Sequence, residues 1–222
     1  MESSSKDCKK MAVYRLDKIA MDVRVALDQN MASSQLVEIG DVDTLALNEI
    51  IRSKVVEAVR KVHNEAPLHL LDGGYNFGDS LYWMKHESGW VLLPENFMRL
   101  VVFEMDDWSR AIFYAFSPGD AEYERQHSRV KGLRGTAQRP ICFISMRPEG
   151  RVLEFFSCKS KEAQVSRAVY LPYPVVDRDG GIEICSRCYE AVIYTIASLV
   201  SMTIGEIEKG SMFNELAKSY LT

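Results

Sequence analysis

The 222-residue chain is 47% hydrophobic and 26% charged, the balance of an ordinary globular protein that needs no metal or disulfide to hold its core. Its 27 Lys and Arg against 31 Asp and Glu give a formal charge of -4, which excludes a protein whose whole surface grips nucleic acid but leaves room for a local basic patch. Five cysteines at 8, 142, 158, 185 and 188 make no disulfide framework. The polar opening Met-Glu-Ser-Ser-Ser-Lys lacks the apolar core of a signal peptide. The longest apolar stretch, Ala191 to Met202, is broken by Tyr194, Thr195, Ser198 and Ser201 and is too short to span a membrane. These features predict a folded, soluble, intracellular protein.

Residues 7–71 read as two helices. Ala12, Leu16, Ile19, Val23 and Ala26 recur at steps of four and three, the period of one buried helical stripe. A polar connection, Asn30 to Gly40, leads to Asp43 or Thr44 as a cap for a second helix. That helix carries Leu47, Ile50, Ile51, Val55, Ala58, Val59 and Val62 and stops at Ala66-Pro67, where the proline lacks an amide donor.

From about 75 to 176 the period changes to that of strands. Segments 80–85 and 90–93 flank a turn at His86-Glu-Ser-Gly89, and Phe97–Met105 is rich in β-favouring residues. Arg110–Phe116 reads as another strand. Ile141–Met146 and Val152–Phe156 form a hairpin around Pro148 and Gly150, and a strand ends in Val169–Pro174, with its prolines placing that end at a sheet edge. After a turn at Asp179-Gly-Gly181, one long helix is expected from Ile184 to about Glu208. Gly210 then interrupts, and a short final helix carries the stripe Phe213, Leu216, Tyr220. The expected fold class is α+β: a helical bundle from the N- and C-terminal helices (1–71 and 177–222) with an antiparallel β-rich domain (72–176) inserted between them.

The sharpest chemical motif is Cys185-Ser-Arg-Cys188. Cysteines three apart at a helix start can share a disulfide, and the helix dipole lowers the pKa of the first thiol. The same residues also serve as small apolar packing in a first turn. A zinc site lacks a second paired spacing, and His63, His69, His86 and His127 have no recognisable nucleophile beside them. Gly73-Gly74 and Gly180-Gly181 fit turns rather than a phosphate cradle. Charge between 104 and 139 reverses sign along the chain. Glu104, Asp106, Asp107, Asp120, Glu122 and Glu124 are followed by Arg125, Arg129, Lys131, Arg134 and Arg139. Such a pair of segments suits intrachain pairing, or the two unlike faces of a head-to-tail contact between copies. No aromatic residues interleave with the arginines to stack bases.

The segment Leu93-Pro94-Glu-Asn-Phe97-Met-Arg99-Leu100-Val101, with Trp108 beyond it, resembles the bacteriophage head-to-tail adaptors, among them the tail-accessory and tail tubular A proteins. Arg134-Gly-Thr-Ala-Gln-Arg-Pro140, Leu153–Phe156, Tyr170–Pro174 and the helix after it extend the likeness. With Gly40-Asp-Val-Asp43 before the second helix, the chain is most similar to the ring proteins of crAss-like phages. The resemblance implies a structural virion protein, made in the host cytoplasm, with no catalytic residues, cofactor, metal or membrane contact. It implies a ring, usually of twelve copies, that binds the portal and neighbouring tail or ring proteins and lets DNA pass without specific binding. It also favours a C-terminal docking element carrying Phe213, Leu216 and Tyr220. Glu104, Asp106, Asp107, Glu122, Glu124, Arg125, Arg129, Lys131, Arg134 and Arg139 are the expected subunit interface. A thiol redox protein using Cys185 and Cys188, or a small binding module, are the competing classes.

Overall fold

A computed structural model describes residues 10–28, 41–128, 130–156 and 158–222. In chain order its elements are β1 (Ala12–Arg15), α1 (Leu16–Asp28), α2 (Asp41–Glu65), β2 (Tyr75–Asn76), β3 (Leu81–Trp83), β4 (Gly89–Leu92) and β5 (Phe97–Met105). Then follow α3 (Ala121–His127), β6 (Ile141–Arg147), β7 (Gly150–Phe156), β8 (Val165–Pro172), β9 (Gly181–Ile184), α4 (Tyr189–Thr203) and α5 (Ile207–Ser219). The fold is α+β, with an antiparallel strand block between N- and C-terminal helices. The chain forms two compact units: one from residues 74–172, the other from the described residues up to 73 together with 173–222.

The first unit holds two antiparallel sheets, in the orders β2-β8-β5 and β3-β4-β7-β6. Their apolar faces share one core, in which Phe103 lies 5.7 Å from Trp108 and 5.9 Å from Phe155, ring centre to ring centre. Phe97, Leu100 and Trp108 are all buried there. Strict alternation along β5 would divide its apolar residues between two faces. Register shifts against β8 break the alternation, so Phe97, Leu100, Val102, Phe103 and Met105 are all buried. The β3–β4 turn holds His86 and Glu87 at φ 60° and 52°, the left-handed region that side chains usually avoid.

One strand expectation needs correction. Residues 110–116 form no strand: Ile112 bonds Phe103 of one sheet, and Phe116 bonds Cys142 and Ile144 of the other. A segment crossing between sheets cannot ladder with either. β8 lies between β2 and β5, but the end expected at a sheet edge is at one. Its proline is tolerated because β2 pairs only with Val169 and Tyr170, leaving Pro172 with a neighbour on the β5 side alone.

In the second unit α4 is the central helix, with α1, α2 and α5 packed on it, and Ala191, Val192, Ile196, Ala197 and Val200 buried. The apolar stripe of α2 (Ile51, Val55, Ala58, Val59, Val62) is buried as its spacing predicts. The first stripe begins later than expected, because residues 12–15 form β1 and pair with β9. The connection at 30–40 lies outside the described residues. The long helix expected from 184 to 208 is also divided. Residues 181–184 are strand, α4 ends at Thr203, and Gly205 at φ 91° turns the chain into α5. Gly210 is therefore no interruption. It sits inside α5 against α4, where a Cβ would meet Met202 Cγ at 2.7 Å and the Ser198 carbonyl oxygen at 3.1 Å.

Candidate interaction surfaces

The acidic residues 104–107 are engaged locally. Glu104 and Arg167 are register partners across β5 and β8, and their side chains pair at 2.6 Å. The Asp106 carboxylate accepts the Gln164 amide at 3.0 Å, and the Asp107 carboxylate accepts the Lys159 amide. Asp120 accepts the Ser117 amide at 2.7 Å in the turn before α3. Between the acidic and basic segments Glu122 pairs with Arg125 at 3.9 Å, a partly exposed contact worth little in water. Arg134 donates to the Ser128 carbonyl at 2.7 Å, and Glu124 and Arg139 are exposed. Arg129 and the Lys131 side chain lie outside the described residues. The structure thus spends Glu104, Asp106 and Asp107 on residues 159–167, and leaves α3 and the loop after it as the charged surface of this region.

The Cys185–Cys188 segment forms a joint. Neither cysteine is in a disulfide, and both are buried. A 3-10 turn over Ser186–Cys188 precedes α4, and the Cys185 amide donates to His63 Nε2 at 3.2 Å. The Ser186 amide donates to Asp72 at 3.0 Å, and Arg187 donates to the His69 carbonyl at 2.8 Å. The turn thereby fastens the start of α4 to the end of α2. Burial pushes the Cys185 thiol up to about 11 despite neighbouring backbone donors, the opposite of the helix-start lowering that the spacing suggested. Among the described residues no cluster of three or more His, Cys, Asp or Glu side chains is placed to hold a metal, and no helix is long and apolar enough to cross a membrane.

The C-terminal stripe is divided by its surroundings. Phe213 is buried, with its ring 6.2 Å from Tyr194, and Tyr220 stacks on Tyr194 at 5.4 Å. Ser198 Oγ donates to the Gly210 carbonyl at 2.6 Å, fixing α5 on α4. Leu216 is exposed on the wall of an apolar cleft of about 910 Å³, with Ala26 of α1, Tyr194 of α4 and Met212 of α5.

A second, more polar cleft of about 490 Å³ shares Ala26 and Tyr194 with the first. It contains a network that sequence reading did not find. Tyr14 stacks on Tyr189 at 4.2 Å, and the Tyr189 hydroxyl donates to Asp22 at 2.6 Å. Lys18 donates to the same Asp22 oxygen at 2.8 Å, with its ammonium 4.9 Å above the Tyr189 ring. Burial pushes the Asp22 carboxyl up, but the bonds from Lys18 and Tyr189 outweigh it and hold the group below its ordinary value. Burial, then the bond to Asp22, pushes Tyr189 above its own. The Lys18–Asp22 spacing of four was a legible signal, whereas Tyr189 joins from across the chain. The chain matches no protein-family model, and no curated protein is significantly similar to it.

Proposed function

We propose that the chain is a structural ring protein of a phage head-to-tail connector, several copies of which form a ring below the portal, extend the DNA channel and join the portal to the tail in the virion. One observation carries the reading: an N-terminal helix pair, an antiparallel block and C-terminal helices follow one another in the order the resemblance implies. The residues that carry the likeness are consistent with this, since Phe97, Leu100 and Trp108 are core of the β unit rather than an exposed recognition surface. The formal charge of -4 also suits a conduit, because few phosphates would be neutralised and DNA could slide.

A closed ring from one chain needs two unlike faces on each copy. With Glu104, Asp106 and Asp107 engaged locally, Glu122, Glu124, Arg125, Arg134 and Arg139 are the best candidates for it. The test is negative-stain imaging and mass photometry of the purified protein, alone and with its portal. Closed rings with a hole wide enough for duplex DNA are expected, and reversing Arg134 and Arg139 to Glu should leave folded monomers. Monomers or dimers at every concentration, with and without portal, would refute the proposal.

A further inference from the structure

We infer that the two joined clefts on the helical unit form one groove that seats an amphipathic helix of a partner protein, apolar along one face and basic at one end. This goes beyond the ring reading and does not depend on it. Three helices build the groove: α1 and α5 supply walls and α4 supplies the floor at Tyr194, the setting in which a further helix packs by ridges and grooves. Met212, 66% exposed, and Leu216 stand on the α5 wall, and Val25, 53% exposed, stands on the α1 wall. Methionine at such a surface adapts to the ridge it meets.

Charge fixes the orientation of the occupant. At the polar end Lys18 is already held by Asp22, whereas exposed Glu190 has no ion pair with any described residue. At the apolar end Lys209 pairs with Glu206 and Glu215 pairs with Lys218. One carboxylate is therefore left over at the polar end, where a Lys or Arg of the incoming helix would meet it. A second copy of this chain is the poorer fit. Outside the groove its described helices expose only one large apolar side chain each, Met21 on α1, Val56 on α2, Met202 on α4 and Ile207 on α5, and so no stripe that would fill it.

The test uses the full chain labelled with carbon-13 at its methionine methyls. The probe is a synthetic helical peptide of about four turns, with Leu along one face and Lys at one end. Saturable movement of the Met212 signal is expected, with Met146, exposed on the β unit, unmoved. Leu216→Lys should weaken binding about tenfold or more, the loss of one apolar anchor. Glu190→Lys should weaken it about two- to fivefold and favour a peptide ending in Glu instead. If Leu216→Lys unfolds the protein, Met212→Lys takes its place, read from peptide fluorescence. The inference is overturned if Met212 does not respond at millimolar peptide, or if Met146 moves equally. It is also overturned if the wall substitutions leave affinity unchanged, or if Met212 shifts with protein concentration alone, which would mean that a second copy fills the groove.

Discussion

Replacing Gly210 by Ala tests whether α5 is seated on α4. In an exposed helix interior the change would stabilise the protein by about 0.8–1 kcal/mol, because glycine has more freedom to lose. Here the new methyl would meet Met202 Cγ at 2.7 Å, the Ser198 carbonyl oxygen at 3.1 Å and the Met202 amide nitrogen at 3.3 Å. The methionine side chain can swing aside, but the other two atoms are α4 backbone, so α5 must retreat by a few tenths of an ångström. Overpacking of this kind costs about 1–3 kcal/mol. The retreat also stretches the 2.6 Å bond from Ser198 Oγ to the Gly210 carbonyl, a net contribution of about 0.5–1.5 kcal/mol. The balance is a loss of about 1–3 kcal/mol, or roughly 3–10 °C in melting temperature for a chain of this length. Thermal denaturation followed by circular dichroism measures it. Ser211→Ala, at the exposed neighbour, is the control and should stay within about 0.5 kcal/mol. A rise of about 2–4 °C for Gly210→Ala would be the helix-propensity gain alone and would refute the packing argument.

Phe97→Ala should cost about 3–5 kcal/mol in the β unit, and an unchanged melting temperature would remove Phe97 from the core. Glu154, buried on β7, accepts from Ser145 at 2.8 Å and Arg147 at 2.9 Å, so Glu154→Ala should cost about 3 kcal/mol, near the low end because Arg147 keeps some solvent. Replacing Glu154 with Leu and Arg147 with Met together should cost less than Glu154→Ala alone; an equal or greater loss would refute the stranded-charge account. Cys185, raised from an ordinary 9.0 to about 11, holds about a hundredfold less thiolate at neutral pH and should alkylate at least that much more slowly than an exposed thiol. Because the fold favours the neutral thiol, its contribution is full below about pH 9 and is lost as pH rises through about 11. Iodoacetamide labelling at the rate of a free thiol would contradict this.

What could be read from sequence was what neighbouring residues decide. The stripe of α2, the Phe and Val residues of β5 and the turn between β6 and β7 all carry their own local signals. Failures came where a distant partner decides. Residues 12–15 continue a helical stripe, yet become strand because Gly181–Ile184 lies beside them. Gly210 reads as an interruption, and only the position of Ser198 shows that it is a close approach. Among the charged candidates the sign reversal was legible, but not that Glu104 would meet Arg167 on the next strand. Tyr14 and Tyr189 likewise carry no sign, in their own neighbourhoods, that they stack.

The insertion of the β unit between α2 and α4 has a consequence for biosynthesis. A ribosome must add roughly 120 residues between these helices, about 6–25 s of translation at bacterial-like rates. During that time the buried face of α2, with Ile51, Val55, Val59 and Val62, has no α4 to cover it, whereas the whole β unit emerges and can fold. A nascent chain stalled after β8 but before α4 pairs a finished sheet domain with an α2 face that α4 does not yet cover. Chaperones that recognise exposed aliphatic stripes should therefore engage it before α4 arrives and release it afterwards.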